Sequence, residues 1–175
     1  MQKLFFWAFF LVTVLHITLT TRAQAPGLAP TGPTSIRVEG EGLKSFTFSS
    51  SDFKPAMVQA IIRKEPDGSS HTFSGLALSD ILTMGGLSVN GGVKGKLLSN
   101  YLLVEAADGY QVVFALADLD SNFTGNRIIL ANMMDGKALA AGKGPFQLIV
   151  QHDKNPGRWV KMVSAITVRS ASRNQ

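Results

Sequence analysis

A chain of 175 residues with no cysteine, and with 17 lysines and arginines against 12 acidic residues, has room for one globular domain with its own core. It excludes a disulfide framework and all thiol chemistry. The net charge of +5 is spread along the chain, which excludes the clustered basic face expected of a nucleic-acid or anionic-membrane binder.

Met1-Gln2-Lys3 is a short positive start, Leu4 to Leu19 is an almost unbroken apolar run, and Ala23-Gln24-Ala25 offers small residues where a signal peptidase reads them. The run is shorter than the ~20 apolar residues of a membrane span. Residues 1–25 are therefore read as a Sec-type secretory signal cleaved after Ala25, with no membrane contact afterwards. Cleavage removes Lys3 and Arg22 and no acid, so 17 − 2 leaves 15 basic against 12 acidic residues, a mature net of +3. No cysteine is present to carry a lipid, and the expected location is the periplasm or the medium.

Residues 26–34, Pro/Gly-rich around PGLAPTGP, predict an extended linker. A single domain over 35–169 follows, with a polar, disordered tail at 170–175. Ser35–Glu39 and Lys44–Phe48 alternate around Gly40-Glu41-Gly42 as an opening hairpin. Ser51-Asp52 caps a short turn that Pro55 stops. Met57–Lys64 reads as a strand turned by Glu65-Pro66-Asp67-Gly68 into His71-Thr72-Phe73. Leu76, Leu78, Ile81 and Leu82 lie at helical intervals and predict a helix over Leu76–Met84, ended by Gly85-Gly86. Leu87–Gly95 is glycine-rich and predicts a flexible loop, free to act as a lid.

The centre of the chain is Tyr101–Leu119. Two apolar runs, Tyr101–Ala107 and Tyr110–Ala115, flank Asp108-Gly109, the dipeptide suited to a hairpin turn. Val112-Val113-Phe114 has no polar break and predicts strands covered on both faces. Arg127–Ala131, Pro145–Val150 and a long Arg158–Val168 complete about eight strands, with a turn at Met133-Met134-Asp135-Gly136. Strands dominate and helices interrupt them, so the predicted class is α+β with mixed sheets, one clear helix and short helical turns.

The histidines His16, His71 and His152 have no metal-ligand spacing. No GxSxG, Walker-type or dinucleotide motif occurs. What remains is a polar cluster, His152, Asp153, Lys154, Asn155, Arg158, Trp159 and Lys161. Cations and backbone N–H groups beside one aromatic suit a phosphate or other small anion. The alternative is a solvated turn in which Trp159 belongs to the core and Arg158 covers it. Asp108 is most simply a turn residue and Tyr110 a strand aromatic, with the lining of a pocket as the alternative.

The order HTFSGLALSDIL, a glycine-rich loop, VEAADGYQVVFALADLD, RIILANMMDGKAL, GPFQLIVQHD and GRWVKMVSAITV resembles the oxidoreductase molybdopterin-binding domain, the catalytic domain of the sulfite oxidase superfamily. The resemblance covers roughly Ile36 to Val168 and is nearest to small, stand-alone exported members. It implies a sulfite oxidase-like fold, a molybdopterin cofactor whose molybdenum takes a protein cysteine thiolate, a basic loop near the pterin phosphate matched by Arg158 and Lys161, and a pocket tyrosine matched by Tyr110. Lys154 and His152 complete the candidate cofactor-binding set. The thiolate belongs near MVQAIIRK or the turn after it, where Ile61, Ile62, Arg63, Ser69 and Ser70 offer no soft anionic donor. The signal also lacks the arginine pair of the twin-arginine route, by which folded, loaded enzymes cross.

The sequence reading is therefore an exported, non-catalytic ligand-binding or accessory module without a bound cofactor, taking a small anionic or pterin-like ligand. Two alternatives stand beside it. One is a molybdopterin oxidoreductase whose metal is held without a cysteine; the other is an interaction subunit docking a periplasmic protein partner through strand edges or the 87–95 loop.

Overall fold

The computed structural model describes residues 32–64 and 67–171. The predicted leader at 1–25, most of the predicted 26–34 linker, Glu65 and Pro66 of the predicted turn, and residues 172–175 of the predicted tail lie outside the described residues. Ten strands, β1 (Ser35–Gly40), β2 (Phe46–Ser49), β3 (Gln59–Lys64), β4 (Ser70–Ala77), β5 (Asn100–Ala106), β6 (Gln111–Ala115), β7 (Ile128–Met134), β8 (Lys137–Ala138), β9 (Gln147–Val150) and β10 (Val163–Ser170), accompany one helix, α1 (Leu78–Met84), among the described residues. The class is α+β, as expected.

The strands form two sheets. One has the order β2-β1-β10-β5-β6, and the other β3-β4-β7-β8 with β9 beside β7. The first is mixed because β1 and β10 run parallel, with Val38 opposite Ile166. Their inner faces supply one continuous core. Ile36, Val38, Phe48, Leu102, Val104, Phe114 and Ile166 from the first sheet are buried with Ile61, Phe73, Leu76, Ile129 and Ile149 from the second. Each such side chain contributes about 1.5–3 kcal/mol of burial. Within it Phe48 and Phe146 pack together, with Phe53 against them, at ring-centroid distances of 5.3–6.1 Å.

The opening hairpin forms as predicted, β1 on β2, and so does the central one, β5 on β6. In the central turn only Gly109 takes positive φ, 87°, while the Asp108 carboxylate accepts the Tyr110 N–H at 3.0 Å. The expectation of cover on both faces holds for β5 and fails for β6. That strand is the edge of its sheet, and Val113 is 52% exposed while Phe114 points into the core.

Other boundaries differ for tertiary reasons. α1 begins at Leu78 rather than Leu76, because Leu76 and Ala77 pair with Leu130 and Ile129 as the end of β4. Gly75 allows that pairing: a Cβ there would lie 2.1 Å from the Leu130 carbonyl oxygen. Pro55 opens a 3-10 turn, Pro55–Met57, rather than closing one. β7 runs on through Met134, leaving Asp135-Gly136 as the turn. The long closing strand starts only at Val163, so Arg158–Met162 is loop and turn.

The 87–95 loop is not a free lid. Leu87, Val89 and Val93 are buried, and the buried Asp120 carboxylate accepts the N–H groups of Gly91 at 2.8 Å, Val93 at 3.1 Å and Asn122 at 2.9 Å. Those bonds, the Asn122 one foremost, hold the Asp120 carboxyl below its ordinary value.

Candidate functional site

The turn from β9 into β10, residues 151–162, carries most of the predicted site and divides it in two. On one side lies a cleft of about 690 Å³ lined by Arg63 and Lys64 of β3 and by His152, Lys154, Pro156 and Trp159 of the turn, with Asp153 and Asn155. On the other side lies a smaller groove of about 220 Å³ lined by Asp108, Tyr110, Pro156, Gly157, Trp159 and Lys161. Pro156 and Trp159 are common to both. His152 and Lys154 are thus brought together, and Tyr110 and Lys161 are brought together elsewhere.

Arg158 lines neither space. Its guanidinium grips the Asp153 carboxylate through two bonds, 2.7 Å from Nε and 2.6 Å from Nη2, and lies 4.9 Å from the Phe114 ring centre. The Asp153 bonds are the main reason its charge is held more firmly than usual. It is a clasp on the turn. The cation over Trp159 is Arg63, 4.7 Å from the ring centre, where the sequence reading had placed Arg158.

Trp159 is 6% exposed and meets Phe73 edge-on at 6.1 Å. It is a core wall of the cleft rather than a free aromatic platform. Arg63 donates from Nη1 to the Gln151 carbonyl and from Nη2 to the Asp153 carbonyl, so β3 holds the turn through its backbone. Asn126 accepts the His152 N–H at 3.0 Å. Arg127 donates to the Gln151 side chain at 2.8 Å. The Tyr110 hydroxyl donates to the Gly157 carbonyl at 2.6 Å, which gives that hydroxyl a structural partner.

Sequence reasoning missed Arg63 and Lys64 as members of the site. β3 reads locally as a strand, and nothing near it in the chain announces a turn some ninety residues away.

The electrostatics of the cleft follow from this arrangement. Arg63, Lys64 and Lys154 contribute three cations against one carboxylate, and that carboxylate is neutralised from behind by Arg158. Lys64 and Lys154 are exposed. What the cleft can do chemically is attract and bind an anion.

A cysteine-ligated molybdenum does not fit these residues. The chain holds no cysteine, and where the resemblance calls for the thiolate, Ile61 is buried, Ile62 is 72% exposed and Arg63 is committed to Trp159 and the turn. Among the described residues no group of three or more His, Asp or Glu converges as a metal site. His71 instead meets Asp135 at 2.6 Å on the β4 and β7 side.

The fold and site define a class: a two-sheet α+β domain, consistent with a sulfite oxidase-like fold, with a basic cleft at the β9–β10 turn. Among solved structures it is similar to the sulfane dehydrogenase SoxCD from Paracoccus pantotrophus, at a TM-score of 0.56 and 15% identity, over 79% of this chain. The match spans 39% of that larger chain. No known family's sequence profile and no curated protein matches the chain.

Proposed function

We propose that this chain is an exported, sulfite oxidase-like module that binds a small anionic ligand and does not itself carry molybdenum redox chemistry. The observation that carries the reading is the donor set. The resemblance implies a thiolate that completes the metal site, this chain has none, and the polar cleft beside β3 presents cations instead. At 15% identity the likeness to SoxCD brings the fold to this chain and leaves the dehydrogenase chemistry with the neighbour.

The test is metal and pterin analysis of mature protein purified from its native host, with mass spectrometry of the N-terminus. The expected result is a chain beginning after Ala25 with molybdenum far below one per chain. About one molybdenum per chain, with pterin released on denaturation, overturns the reading in favour of an oxidoreductase. Stoichiometric co-purification of a second polypeptide bound through the β6 edge makes it an interaction subunit instead.

A further inference from the structure

The cleft between β3 and the β9–β10 turn also says what kind of anion it takes, and this step rests on the binding reading above. We propose that its ligand is a compact polyanion without an aromatic ring, held between Lys64 and Lys154 in front of Arg63, rather than a pterin or another heterocycle.

Three observations support this. The first is that the indole face in the lining is covered. Arg63 covers Trp159 at 4.7 Å, Phe73 abuts its ring, and the residue is 6% exposed. A flat heterocycle gains its selectivity by stacking on a free π-face, and Trp159 offers none, which leaves the small His152 imidazole as the remaining ring of the lining. The second is charge. The lining holds three cations, and its lone carboxylate, Asp153, is already gripped by the Arg158 fork at 2.6 and 2.7 Å. A ligand with a single negative charge would leave this excess largely unmet, whereas one with two or three anionic groups matches it. The third is rigidity. Arg63 is fixed by two backbone carbonyls 88 and 90 residues further along the chain, so the cationic floor exists before a ligand arrives and the ordering cost is confined to the two lysine side chains.

Lys161 and Tyr110 have no part in this site. They line the separate groove beyond Pro156 and Trp159, which makes Lys161 an internal control: a lysine of the same turn, exposed, and on the wrong side of the wall.

The experiment is a thermal-shift titration of the mature chain with citrate, pyrophosphate and neopterin at matched ionic strength. Concentrations stay in the low millimolar range, where exclusion of kosmotropic ions from the surface contributes little. Citrate or pyrophosphate is expected to raise Tm by on the order of 4 °C at tenfold excess over Kd, with neopterin giving no shift. Lys64→Ala and Lys154→Ala should each raise the apparent Kd by on the order of tenfold, and Lys161→Ala should leave it unchanged. All three lysines are exposed, and the unliganded Tm of each variant reports that it is folded. A shift with neopterin equal to that with citrate overturns the proposal, as does a citrate response insensitive to both Lys64→Ala and Lys154→Ala, or no response to any anion. A chain that carries molybdenum and still gives the Lys64- and Lys154-dependent response keeps this site while the non-catalytic reading fails.

Discussion

Replacing Arg158 by alanine separates two roles for a basic residue in a site-forming turn. If Arg158 is the clasp its geometry describes, its loss costs stability first and anion binding only through the shape of the turn. The pair is a fork on a carboxylate, with bonds of 2.6 and 2.7 Å, between an Asp153 side chain 15% exposed and an Arg158 side chain 39% exposed. An exposed pair contributes about 0.2–1 kcal/mol, and breaking a buried one costs about 3–5 kcal/mol. With Arg158 more than a third exposed, solvent screening discounts the buried figure heavily, and about 1.5 kcal/mol is reasonable for the pair. The guanidinium also lies 4.9 Å from the Phe114 ring centre, which adds about 0.5 kcal/mol.

The expected cost of Arg158→Ala is therefore about 2 kcal/mol, or a Tm lower by about 4–8 °C in a domain of this size. Urea unfolding of wild type, Arg158→Ala, Asp153→Ala and the double variant gives the coupling energy directly. A coupling of about 1–1.5 kcal/mol is expected, falling only in part at high salt because Asp153 is mostly sheltered. Arg158→Lys keeps the charge and loses the fork, so it should recover less than half of the loss. A coupling below about 0.3 kcal/mol, or an Arg158→Ala variant with unchanged stability and no anion response, would refute the clasp and return Arg158 to the role of direct ligand.

Two further outcomes test the frame around the site. Asp120→Ala should loosen the 87–95 loop, read as faster amide exchange at Gly91 and Val93, since their N–H groups lose their acceptor. The sign of its pH dependence follows from the depressed carboxyl: Asp120 stabilises the fold fully above the ordinary carboxylate value of 3.8 and loses that contribution as pH falls through its lower folded value. The wild-type advantage over Asp120→Ala should thus be constant at neutral pH and shrink only in acid. Tyr110→Phe removes a 2.6 Å bond between two exposed residues and should cost about 0.5 kcal/mol in urea unfolding, leaving the larger cleft's anion response unchanged.

Much of the fold was legible because its cues are local. Asp108-Gly109 lies between two apolar runs, and the helix carries Leu78, Ile81 and Leu82 on one face, all buried. The errors have a common cause in pairing with distant segments. Leu76 satisfies both the helical spacing and the strand pattern, and only Leu130 opposite it decides for the strand. Val112-Val113-Phe114 conceals an ordinary in-and-out alternation, because an outward valine on an edge strand looks the same in sequence as a buried one. The glycines of 87–95 drew attention away from Leu87, Val89 and Val93, whose burial is secured by Asp120, 27 and 29 residues away from its Val93 and Gly91 partners.

The same reasoning explains why half of the candidate site could be read and half could not. The cations of the turn announce themselves as a cluster, yet charge alone does not tell a ligand-facing side chain from one holding the turn in shape. Arg158 follows Asp153 by five residues and is consumed by it, while Arg63 reaches across from another strand to two backbone carbonyls of the turn. Ties from Arg63, Asn126, Arg127 and Tyr110 converge on residues 151–158, and Arg158 clasps the segment from within, so a segment with little regular structure is held in shape. A turn merely exposed to solvent has no need of four anchors from three other parts of the chain, with an internal clasp besides. Such anchoring places Lys64 and Lys154 at a fixed frame rather than on a mobile loop, and a preset frame is what lets a few exposed charges select among anions instead of attracting all of them alike.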